Sequence, residues 1–254
     1  MTDDVRRFYD ELAPEYDAIY DDWDATVQRD GALLHGLLGR GADPVLDVAA
    51  GMGTQAIGLA LLGHRVVARD LSPALVARGL GEAARLGATL DFDLGDMCEA
   101  RPGDAGRFGA VIAFGNALPH LESAALDAAL RAAWLALRPG GRFLSAIRDY
   151  DDLSTRRPPL EPPRIMGAPP HRRAAMQLWT WDANGRACDV DLFVLREGPT
   201  GWTATTHRTR YHALLRVDLE RAAAAAGFVD AEWLAPEQSG HAQPIFRARR
   251  AGGL

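Results

Sequence analysis

The sequence predicts an α/β protein: a doubly wound, seven-stranded, mostly parallel sheet with an antiparallel β insertion before its last helix. Three observations carry that expectation. From Val45 to Ile147, short apolar strands alternate with helical runs of ten or more residues, the rhythm of parallel strands joined by crossing helices. The first of those strands runs directly into a small-residue turn, Ala49-Ala50-Gly51-Met52-Gly53. After Arg148 the rhythm changes to alternating strands separated by Asn184-Gly185 and by the Gly-Pro-Thr-Gly turn at 198–201, both hairpin signals.

The elements follow in order. Over residues 5–39 Phe8, Leu12, Tyr16, Ile19 and Tyr20 recur at helical steps; Pro14 breaks the run and Asp21-Asp22-Trp23-Asp24 breaks it again. A second helix over about 26–38 closes at Gly39-Arg40-Gly41. A strand at 45–49 leads to a helix at about 54–63, and Arg65 to Asp70 forms a second strand that ends on an acid. Ser72 and Pro73 are the N-cap and first position of the next helix, which stops at Gly87. Residues 88–94 and 108–114 read as the third and fourth strands, and an Ala/Leu helix spans Glu122 to Leu137. Arg138-Pro139-Gly140-Gly141 is a turn before a fifth strand, 142–147. Residues 154–172, rich in Pro and Arg, read as an irregular loop; about three antiparallel strands follow, as far as Tyr211. A helix from Val217 to Ala226 and strands at 228–234 and 243–249 complete the sheet.

The 254 residues, 48% hydrophobic and 24% charged, describe a globular chain that buries a core without disulfides. The expected organisation is an N-terminal helical lid segment, 1–40; a nucleotide-binding core, 41–150; a substrate-side insertion, 151–212; and the last helix and strand pair, 213–254. A net charge of −6 argues against a general nucleic-acid surface, which needs clustered cations. No apolar run is long enough to span a membrane, and Met1-Thr2-Asp3-Asp4 lacks a signal-peptide pattern. Cys98 and Cys188 alone suit a reducing compartment, so a cytoplasmic location is expected. His207 and His212 lack metal-ligand spacing with a supporting carboxylate, so no metal is expected.

A strand, a glycine turn and a helix start make a nucleotide site, because glycines let the backbone approach the ligand and the helix N-terminus offers free N–H groups. On residue pattern alone, Gly51-Met52-Gly53-Thr54-Gln55-Ala56 also fits the G-x-G-x-x-A turn of nicotinamide enzymes, with Asp70 on a ribose.

Four ordered signals separate the two. Asp47-x-Ala49-x-Gly51-x-Gly53, Asp70 at the end of the second strand, Gly95-Asp96-Met97 after the third, and Leu137-Arg138-Pro139-Gly140-Gly141 before the fifth resemble the class I methyltransferases that use S-adenosyl-L-methionine. The resemblance runs from about Val45 to Ile147, with Ala49 in place of the first glycine of the motif. Gly115-Asn116-Ala117-Leu118-Pro119-His120-Leu121 and Arg148-Asp149-Tyr150-Asp151 are similar to segments of the glycine/sarcosine and related small-amine N-methyltransferases. So are the insertion and the spaced tyrosines Tyr9, Tyr16 and Tyr20. The arginines with which that subgroup holds carboxylates do not align with Arg29 or with any arginine of the insertion.

The resemblance implies a Rossmann-like methyltransferase fold, S-adenosyl-L-methionine as cofactor, and N-methylation of a small amine or amino acid. O-methylation of a small hydroxylated or carboxylated metabolite is the alternative. Gly51, Gly53 and Ala49 would form the cofactor loop, ordered by Asp47. Asp70, with the adjoining Leu71, would hold the ribose, and Asp96 and Met97 the adenine. Phe114 and Asn116 follow the fourth strand at the carboxyl edge, where ligands of such sheets bind. Tyr16, Tyr20 and Trp23 would close over the cofactor. Asn116, His120 and Tyr16 are the candidate catalytic groups; His120, Arg148, Tyr150 and Tyr211 are the candidate acceptor contacts. Methyl transfer from a sulfonium is an in-line displacement with a neutral leaving group, so positioning matters more than a catalytic triad. The partner implied is a small-molecule methyl acceptor, with neither nucleic acid nor membrane, and the lid would close its own site or, in a homodimer, a neighbour's. A nicotinamide-dependent oxidoreductase and a non-catalytic nucleotide-binding protein are the readings outside the class.

Overall fold

The computed structural model describes residues 3–39 and 41–252. Met1 and Thr2 of the acidic start, Arg40 of the Gly39-Arg40-Gly41 helix stop, and residues 253–254 lie outside them.

The central sheet is built from β1 (Val45–Asp47), β2 (Val66–Asp70), β3 (Asp91–Leu94), β4 (Phe108–Ala113) and β5 (Leu137–Ala146), with β10 (Phe228–Leu234) and β11 (Ile245–Arg250). Its seven strands run in the order β3-β2-β1-β4-β5-β11-β10. All neighbours are parallel except around β11, which is antiparallel to both β5 and β10. Period-two alternation sends successive side chains to opposite faces. Leu46, Val67, Val111 and Phe143 therefore pack on one face, against α5 (Ser123–Ala136) and α7 (Arg216–Ala226). Val45, Val66, Ala110 and Leu144 pack on the other, against α2 (Trp23–Leu38) and α3 (Thr54–Leu61). Because both faces are covered, the strands read as continuous apolar runs in the sequence.

The strand order reverses between β1 and β4, which creates a crevice at the carboxyl ends of β1, β2 and β4. α4 (Pro73–Leu86) follows β2; it is capped by the Ser72 hydroxyl on the Leu75 amide at 3.1 Å and closed by Gly87. α1 (Asp3–Leu12) and a 3-10 segment, Ala13–Ile19, lie across the crevice.

The expectations hold for the parallel half, with two refinements. β5 begins at Leu137, so Arg138 to Gly141 is a bulge inside the strand rather than a turn before it: Leu137 pairs with Phe108, Arg142 with Ala110, and the residues between are looped out. A helix absent from the expectations, α6 (Tyr150–Arg156), follows β5, with the Asp149 side chain accepting from the Asp152 amide.

The insertion is a correction. It holds four antiparallel strands, not about three, in the order β6 (Leu160–Met166), β7 (Arg173–Trp181), β8 (Ala187–Gly198), β9 (Gly201–His212). The extra strand lies in the stretch expected to be an irregular loop. Its prolines, Pro162 and Pro163, sit at a register shift between Glu161 and Arg164 on an edge strand, where a missing N–H leaves no ladder bond broken. The insertion sheet packs Leu192 and Val194 against Phe8, Leu12 and Ala18 of the N-terminal segment.

Candidate active site

The glycine turn is held from behind. Asp47 ends β1 fully buried; one of its oxygens accepts from the Ala49 amide at 3.3 Å and the other has no hydrogen-bond partner. Burial, with Asp70 nearby, raises its carboxyl to about 7. Gly51 takes φ +57, and a Cβ built there would lie 3.1 Å from the Tyr16 hydroxyl. Its amide donates to Asp70 Oδ2 at 2.7 Å, while Asp70 Oδ1 accepts from the Ser72 amide at 2.9 Å. Burial still raises the Asp70 carboxyl to about 6. Asp70 thus ties the β1 and β2 turns together, and its carboxylate keeps acceptor capacity for a further donor.

These turns line a cleft of about 600 Å³, counting its open mouth. Tyr16, Tyr20, Ala49, Gly51, Asp70, Leu71, Met97, Phe114 and His120 all face it. Several expected residues do not. Asp47 and Gly53 stay behind the loop, Asn116 lines the adjoining cavity, and Asp96 lines a separate hollow that meets the cleft at Met97. Trp23 is buried with Val27, Met52 and Ile57; its ring meets Tyr20 edge-on at 5.2 Å and lines neither cavity. Tyr9, Thr54, Gln55, Gly115 and Ala117 also line the cleft without having been singled out as site residues. For Tyr9 a signal existed in its spacing to Tyr16 and Tyr20, and the others lie within the two stretches already marked, 51–56 and 115–121.

The cleft opens into a second cavity of about 1770 Å³, counting its open mouth, between the lid segment and the insertion sheet. Tyr9, Tyr16, Tyr20, Gln55 and Gly115 belong to both walls. Beside this junction His120 is buried, with Nε2 at 2.8 Å from the Tyr9 hydroxyl and Nδ1 at 3.4 Å from the Thr209 hydroxyl. Burial, with His212 adding to it, lowers the imidazole to about 4, so the ring is neutral at physiological pH. Burial raises the phenols of Tyr9, Tyr16 and Tyr20.

Asn116 adopts φ +63, a left-handed conformation that Asn tolerates better than most residues. Its amide donates to the Tyr150 hydroxyl at 3.0 Å and accepts from the Arg148 backbone N–H at 3.0 Å. Tyr150 is buried and lines neither cavity, whereas Arg148 and Tyr211 line the second one. The Arg148 guanidinium lies 2.9 Å from Glu161, 3.1 Å from the Gln177 side-chain oxygen and 4.8 Å above the Trp179 ring. The N-terminal segment is pinned to the insertion: Glu15 meets His207 at 2.7 Å, and Arg173 donates to the backbone oxygens of Tyr20 and Asp21.

The crevice at the switch point, the small-residue turn and the acid at the end of β2 define a nucleotide-cofactor protein of the doubly wound class. Comparison with known proteins says which. Residues 45–141 match the family described as a methyltransferase domain. Glycine/sarcosine N-methyltransferase of Parasynechococcus marenigrum (strain WH8102) is 32% identical over 150 residues, 58% of this chain and 53% of that protein. The chain spans about half the length of the curated N-methyltransferases it matches, 53% and 56% of each. Among solved structures, the CcbJ methyltransferase from Streptomyces caelestis aligns with a TM-score of 0.75 at 20% identity, over 96% of this chain and 98% of that one. The S-adenosylmethionine-bound CalS10, an amino pentose methyltransferase from Micromonospora echinaspora, aligns with a TM-score of 0.71 at 20% identity, over 94% and 95%. At such identities the likeness is one of fold. Taken with the domain match, it gives the chain a methyltransferase domain over residues 45–141 within a Rossmann-like methyltransferase fold. The cleft fits S-adenosylmethionine on its own terms: a left-handed turn at Gly51 that leaves little room for a Cβ, and a buried acid with acceptor capacity left over.

Proposed function

We propose that the chain N-methylates a small-molecule amine. In this reading the cleft under Gly51 and Asp70 holds S-adenosylmethionine, whose sulfonium supplies an electrophilic methyl group. The described N-terminal segment, 3–39, is its lid, and the insertion at 151–212 walls the acceptor. Asp70 and the adjoining Leu71 take the ribose, and Met97 and Phe114 contribute apolar wall. Tyr16 and Tyr20 hold the cofactor from the lid side.

One observation carries the choice of nitrogen over oxygen. The groups at the junction are locked and uncharged. His120 uses both ring nitrogens on Tyr9 and Thr209 and sits near 4, and the phenols are raised. A hydroxyl acceptor needs a base to remove its proton, and none of these groups is suited to the task. An amine needs only to arrive as its free base, and a water-poor junction favours the neutral form. Asn116 and His120 then act by positioning: Asn116 holds Tyr150 and the Arg148 backbone, and His120 holds Tyr9. The 32% identity to a glycine/sarcosine N-methyltransferase supports the same chemistry.

The test is calorimetric titration with S-adenosylhomocysteine and with NADH, then methyl transfer to matched amine and alcohol acceptors. The expected result is binding of S-adenosylhomocysteine, transfer to amines, and kcat/KM that rises with pH along the acceptor's own ionisation. Transfer to alcohols alone would overturn the nitrogen reading, and stabilisation by NADH without S-adenosylhomocysteine binding would overturn the whole.

A further inference from the structure

The second cavity contains one half-buried arginine, Arg148, and the chain has already placed a carboxylate on it. A guanidinium in an acceptor cavity is a natural seat for a substrate carboxylate, because its planar fork matches that group. Here the Glu161 carboxylate lies 2.9 Å from the Arg148 fork, and Gln177 takes another of its N–H groups at 3.1 Å. Trp179 covers one face of the guanidinium at 4.8 Å. Glu161 reaches this place because it pairs with Gln177 across the β6–β7 ladder, just before the register shift at Pro162-Pro163 on the edge strand. The cavity, about 520 Å³ without its open mouth, lies within the roughly 300–1,000 Å³ of ordinary small-molecule pockets and far exceeds what glycine alone would fill.

We propose that Glu161 is a specificity-determining residue: it occupies the carboxylate seat at Arg148 and selects amine acceptors that lack a carboxylate next to the nitrogen. A free amino acid would bring a second anion beside Glu161, a like-charge contact that works against binding. An amine on a neutral body meets no such repulsion. This inference rests on the N-methylation reading and deepens it, by making the acceptor a carboxylate-free amine larger than glycine or sarcosine.

The test uses the whole chain saturated with S-adenosylhomocysteine; binding of that ligand is measured first and reports separately on the methyltransferase reading. Glycine and 2-aminoethanol, which differ in carboxylate against alcohol, are then titrated by calorimetry into the wild type, Glu161→Gln and the Glu161→Gln/Arg148→Met double variant. The wild type should bind glycine no better than 2-aminoethanol. Glu161→Gln should gain about tenfold or more for glycine, the scale of one charge-assisted hydrogen bond, with no gain for 2-aminoethanol. The double variant should lose that gain. A wild type that prefers glycine overturns the proposal without any variant having to fold. So does Glu161→Gln with no gain for glycine, or a gain that survives the loss of Arg148.

Discussion

Replacing Asp70 by Asn separates what this residue does for the fold from what it does for the cleft. Burial raises its carboxyl from an ordinary 3.8 to about 6, against the pull of the Ser72 and Gly51 amides. The sign follows from the direction. A raised carboxyl contributes stability that is fully present below the unfolded value near 4 and is lost as pH rises through about 6. Between 3.8 and about 6 lies about 3 kcal/mol, which the ionised group costs the ligand-free fold at neutral pH. Asp70→Asn removes that cost. It also leaves a single oxygen for two amide donors, those of Gly51 and Ser72, and turns an NH2 toward one of them. A buried donor without a partner costs about 1–3 kcal/mol. The two effects offset to within about 2 kcal/mol, a shift of the unfolding midpoint of no more than about 8 °C for a chain of this size.

Binding has no such offset. If Asp70 accepts the cofactor's ribose hydroxyls, each hydrogen bond to the charged group contributes about 1.5–3 kcal/mol. Loss of one weakens S-adenosylhomocysteine about tenfold to a hundredfold. Calorimetric titration of wild type and variant measures it, with thermal unfolding of the ligand-free proteins alongside. In the wild type the affinity should also drop about tenfold per pH unit below about pH 6, as the acceptor protonates. An Asn variant that binds as tightly as the wild type refutes the reasoning, as does an affinity that stays flat from about pH 5 to 8.

Two glycines test the neighbouring claims. Gly51→Ala forces a Cβ into a left-handed backbone, at about 1–2 kcal/mol, and drives it to 3.1 Å from the Tyr16 hydroxyl. It should keep a cooperative unfolding transition yet lose S-adenosylhomocysteine affinity; undiminished affinity would refute the assignment of the loop. Gly58→Ala is the contrasting case, because its Cβ would lie 2.3 Å from the Val27 carbonyl oxygen and 2.8 Å from the Gly31 Cα, backbone that cannot swing aside. α2 and α3 would have to separate, a stability loss of about 1–3 kcal/mol or more, read by urea denaturation. The same titration, run with enough ligand to saturate the folded fraction, should return an unchanged intrinsic affinity.

The parallel half was legible because its signals are local. Val45 to Gly53 encodes a strand, its ending and the turn within nine residues, and Ser72-Pro73 encodes a helix start within two. What was misread there was equally local: Arg138 to Gly141 has turn composition, and a bulge inside β5 uses the same residues for the same reason, a reversal of backbone direction without a ladder partner. In β6 the prolines masked a strand. Proline argues against an inner strand, but Pro162 and Pro163 lie at an edge and at a bulge, positions that only the sheet as a whole defines.

The acceptor side was not legible, and the reason is sequence separation. His120 takes its partners from Tyr9, 111 residues before it, and Thr209, 89 residues after it. Glu15 reaches His207 across 192 residues. No window of sequence contains both members of such a pair, so periodicity can place His120 after the fourth strand but cannot say what holds it. The same separation has a physical consequence. Tyr9 and Glu15 belong to the lid segment, Thr209 and His207 to β9 of the insertion, and His120 to the loop after β4. The N-terminal segment therefore docks on groups supplied by both the loop after β4 and the insertion sheet. Seating Tyr9 on His120 places one phenol in the walls of both cavities at once. A lid that lifts would lose the His120 bond and the Glu15–His207 pair together, opening both cavities to water. In the proposed reading, exclusion of water and completion of the acceptor wall would be one event, which suits a reaction whose protein contribution is alignment and desolvation.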